Sequence, residues 1–147
     1  MAPSASVRKI LKAARVARLA TMDAEGKPQI VPVCFAYDGE FFYTAIDRKP
    51  KRVPPDRLAR LKNIASASNV ALLIDHYDED WSKLWYVLIH GKAKLLPKSA
   101  REERARATRK LRAKYPQYTR EMLPEMLPDD APIIRVRPER ITSWGRI

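Results

Sequence analysis

The chain is poor in the residues that usually announce catalysis or metal binding. Of its 147 residues, one is cysteine, two are histidine and four are glycine. A lone Cys34 cannot close an internal disulfide, so the sequence fits a reducing, cytoplasmic setting. His76, His90 and that cysteine lack the spacing of a zinc module, and no metal site is expected. Four glycines form no GxGxxG, no Walker loop and no nucleophile elbow. No apolar run approaches the roughly 20 residues that cross a bilayer. The opening MAPSASVRKILKAARVARLA scatters cations among its apolar positions, unlike a secretory signal, and no membrane partner is expected.

Acidic charge is also scarce. Seventeen Asp and Glu face 29 Lys and Arg, a net charge of +12, which draws any anionic partner without naming one. Hydrophobic content of 46% and charged content of 31% suit a folded globular chain. Its length suits one domain over residues 1–147, large enough to bury about 68–70% of its unfolded surface.

Hydrophobic periodicity orders the elements. Val7, Ile10, Leu11 and Ala14 repeat with helical spacing behind Ser4 or Ser6 as N-cap. RVARLAT reads as a first strand, and DAEGKP as a turn. QIVPVCFAY is a second strand, and Asp38-Gly39 a two-residue hairpin turn into EFFYTAI, the third. A short helix follows from Pro55 and Asp56, with Leu58, Leu61 and Ala65 on one face and Arg57, Arg60 and Lys62 elsewhere on its surface. NVALLIDHY and WSKLWYVLIHGKAKLL are the fourth and fifth strands, the latter bulged at Gly91. Ser99 and Glu102 form a capping-box pattern ahead of a basic helix that stops before Pro116. IIRVR and RITSW close the chain as two strands.

The first three strands read as an antiparallel meander. In the second, Val31, Val33 and Phe35 face one way and Ile30 and Cys34 the other, so both faces need cover. A small closed barrel that dimerises provides it.

Few residues could carry chemistry. DHYDEDW (residues 75–81) gathers four carboxylates and His76 but lacks the glycine and terminal glutamate of a calcium loop, and reads as a polar connection. His76 reads as a hydrogen-bonded strand-end residue, and Cys34 as a small buried hydrophobe. The Ser99 helix carries Arg101, Arg104, Arg106, Arg109, Lys110, Arg112 and Lys114 around most of its surface. Only a stripe of Ala107, Leu111 and Tyr115 is left to dock it. It could contact phosphates, yet reads better as a solvated basic face, and nucleic acid is not the expected partner.

The basic loop at residues 47–63, DRKPKRVPPDRLARLKN, differs in position. It places seven Lys or Arg against two Asp beside the apolar hairpin that ends in FFYTAI. Cations at a strand end can grip a terminal phosphate while an aromatic ring lies along the strands. A nucleic-acid footprint and a solvated loop are the competing readings.

In order, ARLATMDAEGKPQIVPVCFAYDGEFFYTA, KPKR, RLKNIASASNVALLIDHYDEDW, HGKAKLL and RPERITSWG resemble the pyridoxamine-phosphate-oxidase-like FMN-binding split β-barrel superfamily. Within it the resemblance is closest to the coenzyme F-420-dependent (deazaflavin) oxidoreductases. It implies a mainly β fold with flanking helices, an antiparallel split β-barrel that is homodimeric, with two cofactor clefts at the interface. It implies that Val31, Pro32 and Val33 approach the ring, that Thr44 and Ala45 flank the ribityl chain, and that Lys49, Lys51 and Arg52 hold the phosphate. Arg57 is a weaker match because VPPD intervenes. Trp85 or Trp144 would come from the opposite subunit, while Trp81 is as well explained by packing.

The implied activity is hydride transfer between coenzyme F-420 and an electron-poor organic small molecule, with FMN as the alternative cofactor of the same fold. Coenzyme F-420 carries a phosphodiester and an oligoglutamate tail, which the excess basic charge suits. The arginines that read pyridoxal phosphate in true pyridoxamine-phosphate oxidases are not evident. No side chain stands out as an obligatory acid or base. Tyr86 or water could protonate a product.

Overall fold

Period-two alternation governs how the chain wraps, because each strand turns one row of apolar side chains inward. The computed structural model describes residues 2–49, 58–119 and 122–147. Among these residues the strands are β1 (Ala17–Met22), β2 (Pro28–Val33), β3 (Ala36–Tyr37), β4 (Phe42–Ala45), β5 (Asn69–His76), β6 (Trp85–Leu95) and β7 (Ile133–Gly145). The helices are α1 (Ala5–Ala13), α2 (Ala59–Ser66) and α3 (Arg101–Lys114), with short 3-10 turns at Trp81–Lys83, Pro116–Tyr118 and Pro124–Met126.

The seven strands form one antiparallel sheet in the order β2-β1-β5-β6-β7-β4-β3. Leu19, Leu72, Ile74, Val87, Ile89 and Val136 project to a shared core. Val33 from the first strand of the sheet and Phe42 from near its far end join that same cluster. The sheet therefore curls until its two ends meet over one core, and the unpaired seam at residues 34–35 is the split of the barrel. The molecule is mainly β and antiparallel, as expected.

The meander is not formed. QIVPVCFAY breaks at Cys34 and Phe35, sending β2 to one end of the sheet and the β3–β4 hairpin to the other. At the hairpin tip Asp38 N–H donates to the Phe41 carbonyl, so Gly39 and Glu40 are the two tip residues rather than Asp38 and Gly39. The Asp38 carboxylate instead accepts from the Glu40 and Phe41 amides.

IIRVR and RITSW merge into the single β7. Gly91 of β6 pairs with Pro138 and His90 with Arg140, so the irregularity lies at Gly91 as expected but its extra residue is Glu139 on the partner strand β7. Pro138 is tolerated at that irregularity, where the ladder is already interrupted. Strand β6 begins at Trp85 rather than Trp81, because Asp80 caps a 3-10 turn by accepting from the Ser82 amide.

Helix α1 is capped by Ser4, whose Oγ accepts from the Val7 amide at 3.2 Å, and buries Val7 and Leu11. In α2 the buried apolar residue is Ile64, with Leu58 and Leu61 partly buried, whereas Ala65 is exposed. Helix α3 starts one residue later than a Ser99 cap requires. Its N-cap is Ala100, with no side-chain hydrogen bond. The expected docking stripe holds: Ala107, Leu111 and Tyr115 pack with Tyr43, Tyr118, Leu127 and Ile133 in a second core outside β3 and β4.

One face of β2 is covered by the barrel core, and the other has no cover from the described residues of this chain. Ile30 is 65% exposed on the outer face, and Met22, Tyr86 and Trp144 are exposed with it. This chain alone leaves that face of the sheet open.

Candidate functional site

A cleft of about 290 Å³ lies where the end of β2 meets β4 across the seam. Pro32, Val33, Cys34, Thr44, Ala45, Asp47, Lys49 and Arg60 line it. Five residues singled out in the sequence, Pro32, Val33, Thr44, Ala45 and Lys49, thus meet in one place, although the segments lie at opposite ends of the sheet. Among the described residues β2 is an edge strand paired with β1, the position in a sheet where proline is tolerated. An edge strand also turns alternate backbone N–H and C=O groups outward, available to the polar rim of a planar ring.

Lysine 49 leads to a second cavity of about 430 Å³, shared with Arg15, Cys34, Tyr115, Pro116, Gln117 and Tyr118. Between the two, the Asp47 carboxylate accepts from the Tyr118 hydroxyl and from the Lys49 ammonium. Burial would raise the Asp47 carboxyl, but these hydrogen bonds outweigh it and hold the group below the ordinary carboxylate range. The Tyr118 hydroxyl is pushed up by burial and by the carboxylate it serves.

On the far wall, Arg60 is half-buried and its Nε has no hydrogen-bond partner among the described residues. Burial lowers its guanidinium pKa, and Asp47 counters part of that effect. An unmatched guanidinium N–H in a cleft with Lys49 is the donor set that an anionic oxygen satisfies.

Of the remaining expected site residues, Val31 packs against the barrel core rather than into the cleft. Lys51, Arg52 and Arg57 lie outside the described residues. Trp85 stacks on His76 with ring centroids 5.8 Å apart, and Trp144 on Tyr86 at 5.8 Å. Neither pair lines the cleft: Trp85 and Tyr86 stand on β6, three strands across the sheet from β2, and Trp144 on β7, one strand further. A single chain does not bring Trp85, Trp144 or Tyr86 to this cleft.

Sequence reasoning missed three residues of the cleft and one of the adjoining cavity. Arg60 was placed on an outer helix surface, Cys34 as plain packing, and Asp47 only as part of a basic loop. Tyr118 is 71 positions from its partner Asp47, a pairing that no local pattern encodes.

DHYDEDW forms a local turn in which Asp78 and Asp80 cap nearby amides. The described residues contain no group of three or more His, Cys, Asp or Glu able to hold a metal ion. None of their helices is long and apolar enough to cross a membrane.

Lys114 lies behind the second cavity. Its ammonium sits 3.7 Å from the Phe35 ring centroid and donates to the Leu11 carbonyl, with Arg15, Tyr115 and Cys34 around it. Burial, aided by Arg15, lowers its pKa from 10.5 to about 8. A lysine that loses its proton first in the folded state makes folding more favourable as pH rises between those two values. Urea unfolding from about pH 8 to pH 10 should therefore show rising stability in the wild type, and Lys114→Met should flatten the rise.

A curled antiparallel sheet whose ends meet at a seam cleft, flanked by helices, is the class of fold that the geometry defines. Comparison with known proteins agrees with that class. Residues 4–145 match the pyridoxamine 5'-phosphate oxidase family, and the chain belongs to it. It is 32% identical over 136 residues to the 5a,11a-dehydrotetracycline/5a,11a-dehydrooxytetracycline reductase of Streptomyces rimosus subsp. rimosus, covering 92% of this chain and 78% of that one.

Among solved structures, a conserved hypothetical protein from Mycobacterium tuberculosis superposes with a TM-score of 0.76 at 21% identity, covering 99% of this chain and 86% of that one. An F420 reductase superposes at 0.64 with 22% identity, covering 92% and 94%. At those identities the structural likeness establishes the fold.

Proposed function

We propose that this protein is an oxidoreductase that binds coenzyme F-420 in the Lys49–Arg60 cleft and reduces a conjugated, electron-poor organic molecule. The carrying observation is the cleft itself: an edge strand ending at Pro32 and Val33, beside a lysine and an arginine whose buried Nε is unmatched. Those residues fit a ring bearing a phosphate.

Val33 and Pro32 would lie against the ring, Thr44 and Ala45 against the linking chain, and Lys49 and Arg60 on the phosphate. Lys51, Arg52 and Arg57 belong to the same basic segment and would add charge. When bound, the cofactor supplies a two-electron hydride, and the protein's part is to orient the ring and exclude water.

The substrate class follows from the tetracycline-derivative reductase among the relatives, whose named acceptors are dehydro compounds. The chain's positive charge, well beyond what one phosphate needs, favours coenzyme F-420 over FMN. Two of the α3 cations are engaged within the fold. Arg104 donates to the Asp130 carbonyl, and Arg112 to the Leu127 carbonyl and Asp129.

A second copy of the chain completes the site. Ile30 and Met22 at the β2–β1 edge and the stacked Tyr86 and Trp144 on β6 and β7 are exposed apolar side chains that homodimerisation would bury. Through that contact the partner's aromatic surface could reach the cleft.

The test is anaerobic. Reduced coenzyme F-420 mixed with the protein and a dehydrotetracycline should be reoxidised at a protein-dependent rate. Reduction of the same acceptor with FMN but not with coenzyme F-420 would move the chemistry to a flavin. Reduction with neither would sink the oxidoreductase reading for this acceptor class.

A further inference from the structure

Lys114, the last residue of α3, lies outside the cleft of Lys49 and Arg60 and takes no part in the function proposed above. Its half-buried side chain crosses to α1, where the amine donates to the Leu11 carbonyl at 3.2 Å. The same nitrogen stands 3.7 Å from the centroid of the Phe35 ring. No carboxylate pairs with it among the described residues, whose salt bridges are all made by other cations.

Two conditions make a lysine amine nucleophilic near neutral pH. Loss of hydration and a neighbouring cation both favour its neutral form. Lys114 meets both. Leu11 and Phe35, which it touches, are fully buried, and the Arg15 guanidinium, which donates to the Lys114 carbonyl, adds like charge. Cys34 acts weakly in the opposite sense. Tyr115 supplies a ring 5.5 Å away, while its hydroxyl is engaged by the Phe35 amide and the Arg15 carbonyl.

This amine opens on a groove of about 360 Å³, a volume suited to a small ring-sized ligand. Leu11, Ala36 and Tyr37 give the groove apolar walls, and Lys12, Arg15 and Lys110 give it positive ones. Lys110 stands one helical turn before Lys114, on the same face of α3. A nucleophilic amine among three cations is arranged to receive a carbonyl compound that also carries an acid group.

We propose that Lys114 forms an imine with a small anionic aldehyde or ketone held in this groove. The ligand's acid group lies against Lys12, Arg15 and Lys110, and its carbonyl carbon against the Lys114 nitrogen. The nitrogen lone pair attacks that carbon, a C=N bond replaces the C=O bond, and the oxygen leaves as water with the two amine protons. Nothing is oxidised or reduced, and no cofactor takes part.

The probe is 4-formylbenzoate, with benzaldehyde as its uncharged counterpart. Each is trapped on the whole chain at about pH 8 with cyanoborohydride, and the modified lysines are located by peptide mass spectrometry. At that pH an ordinary lysine, near 10.4, is neutral about once in 250, whereas one near 8 is neutral half the time. Lower basicity takes back part of the gain, so Lys114 should react about tenfold or more faster than the exposed Lys83 and Lys98. Lys114→Arg, which keeps the charge, should lose the fast site.

The same two exposed lysines calibrate the two aldehydes. Relative to them, Lys114 should favour 4-formylbenzoate over benzaldehyde by about fivefold or more. Lys12→Ala/Lys110→Ala should remove that preference and leave Lys114 reactive. Both replaced side chains are exposed, so the variant should fold, as circular dichroism would verify. Labelling spread evenly over the lysines of the folded wild type would overturn the reactive amine. Fast labelling of Lys114 by both aldehydes alike, or a preference that survives in the double variant, would overturn the anionic ligand.

Discussion

Lys49→Glu is expected to lower affinity for coenzyme F-420 by roughly a hundredfold or more, the largest binding effect of any single change in the cleft. Lys49 lines both the seam cleft and the adjoining cavity. A charge-assisted hydrogen bond to phosphate contributes about 1.5–3 kcal/mol, and reversal adds repulsion from the new carboxylate. Lys49→Met isolates the first contribution and should lose about tenfold.

The change also reaches Asp47, which accepts a hydrogen bond from Lys49. A glutamate there replaces a partner with a like charge, so the Asp47 carboxyl should titrate higher than in the wild type. Tyr118 still donates to Asp47, and Lys49 is more than half exposed, so the fold should survive with a small drop in melting temperature. Fluorescence titration of both variants checks the order. Wild-type affinity in Lys49→Glu would remove the cleft from consideration as the phosphate site.

Gly91→Val should cause the largest loss of stability. A Cβ at Gly91 would stand 2.3 Å from the Arg137 carbonyl oxygen, 3.0 Å from its carbon and 3.1 Å from the Pro138 Cα. All three are backbone atoms of the paired strand, so no rotamer change can make room. The bulge at His90 and Gly91 couples β6 to β7, and β4 in turn hangs on β7.

The strands must separate or the bulge must reform, at a cost of roughly 3 kcal/mol or more, lowering the melting temperature by about 10 °C. Gly39→Ala gives the contrast. Its φ of +98° strains any side chain, but a Cβ there meets nothing within 4 Å, so about 1 kcal/mol is expected. Thermal and urea unfolding of the two variants should separate them clearly.

Those two glycines also show what a sequence conveys. Gly91 inside an apolar strand pattern is legible as an irregularity of the ladder, although its extra residue, Glu139, lies on the partner strand and the glycine itself admits the close Arg137 backbone. Turn residues and the 3.6-residue stripes of α1 and α3 were legible for the same local reason. The break at Cys34 and Phe35 was not, because apolar residues run through it without a gap. Only the sheet order reveals that β2 and β4 lie at opposite ends before curling together.

The candidate site divides along the same line. Pro32, Thr44 and Lys49 stood out by motif order, and the structure brings them within one cleft. Arg60 looked like a surface cation because helix periodicity assigns faces but does not show that this one meets the end of β4 across the cleft. Tyr118 lies in a proline- and methionine-containing connector with no periodicity at all, and reaches Asp47 only through tertiary packing of the second core. Trp85 and Trp144 are expected from the opposite subunit by resemblance, and within one chain they stack on His76 and Tyr86 outside the cleft.

The most direct measurement is an equilibrium titration of cofactor-free protein with coenzyme F-420 and, separately, with FMN, read by tryptophan fluorescence and repeated with Lys49→Glu. Saturable binding of coenzyme F-420, at least about tenfold tighter than FMN and lost in the variant, is the expected result. Tighter binding of FMN, or binding of coenzyme F-420 indifferent to Lys49→Glu, would contradict the assignment of this cleft to the deazaflavin.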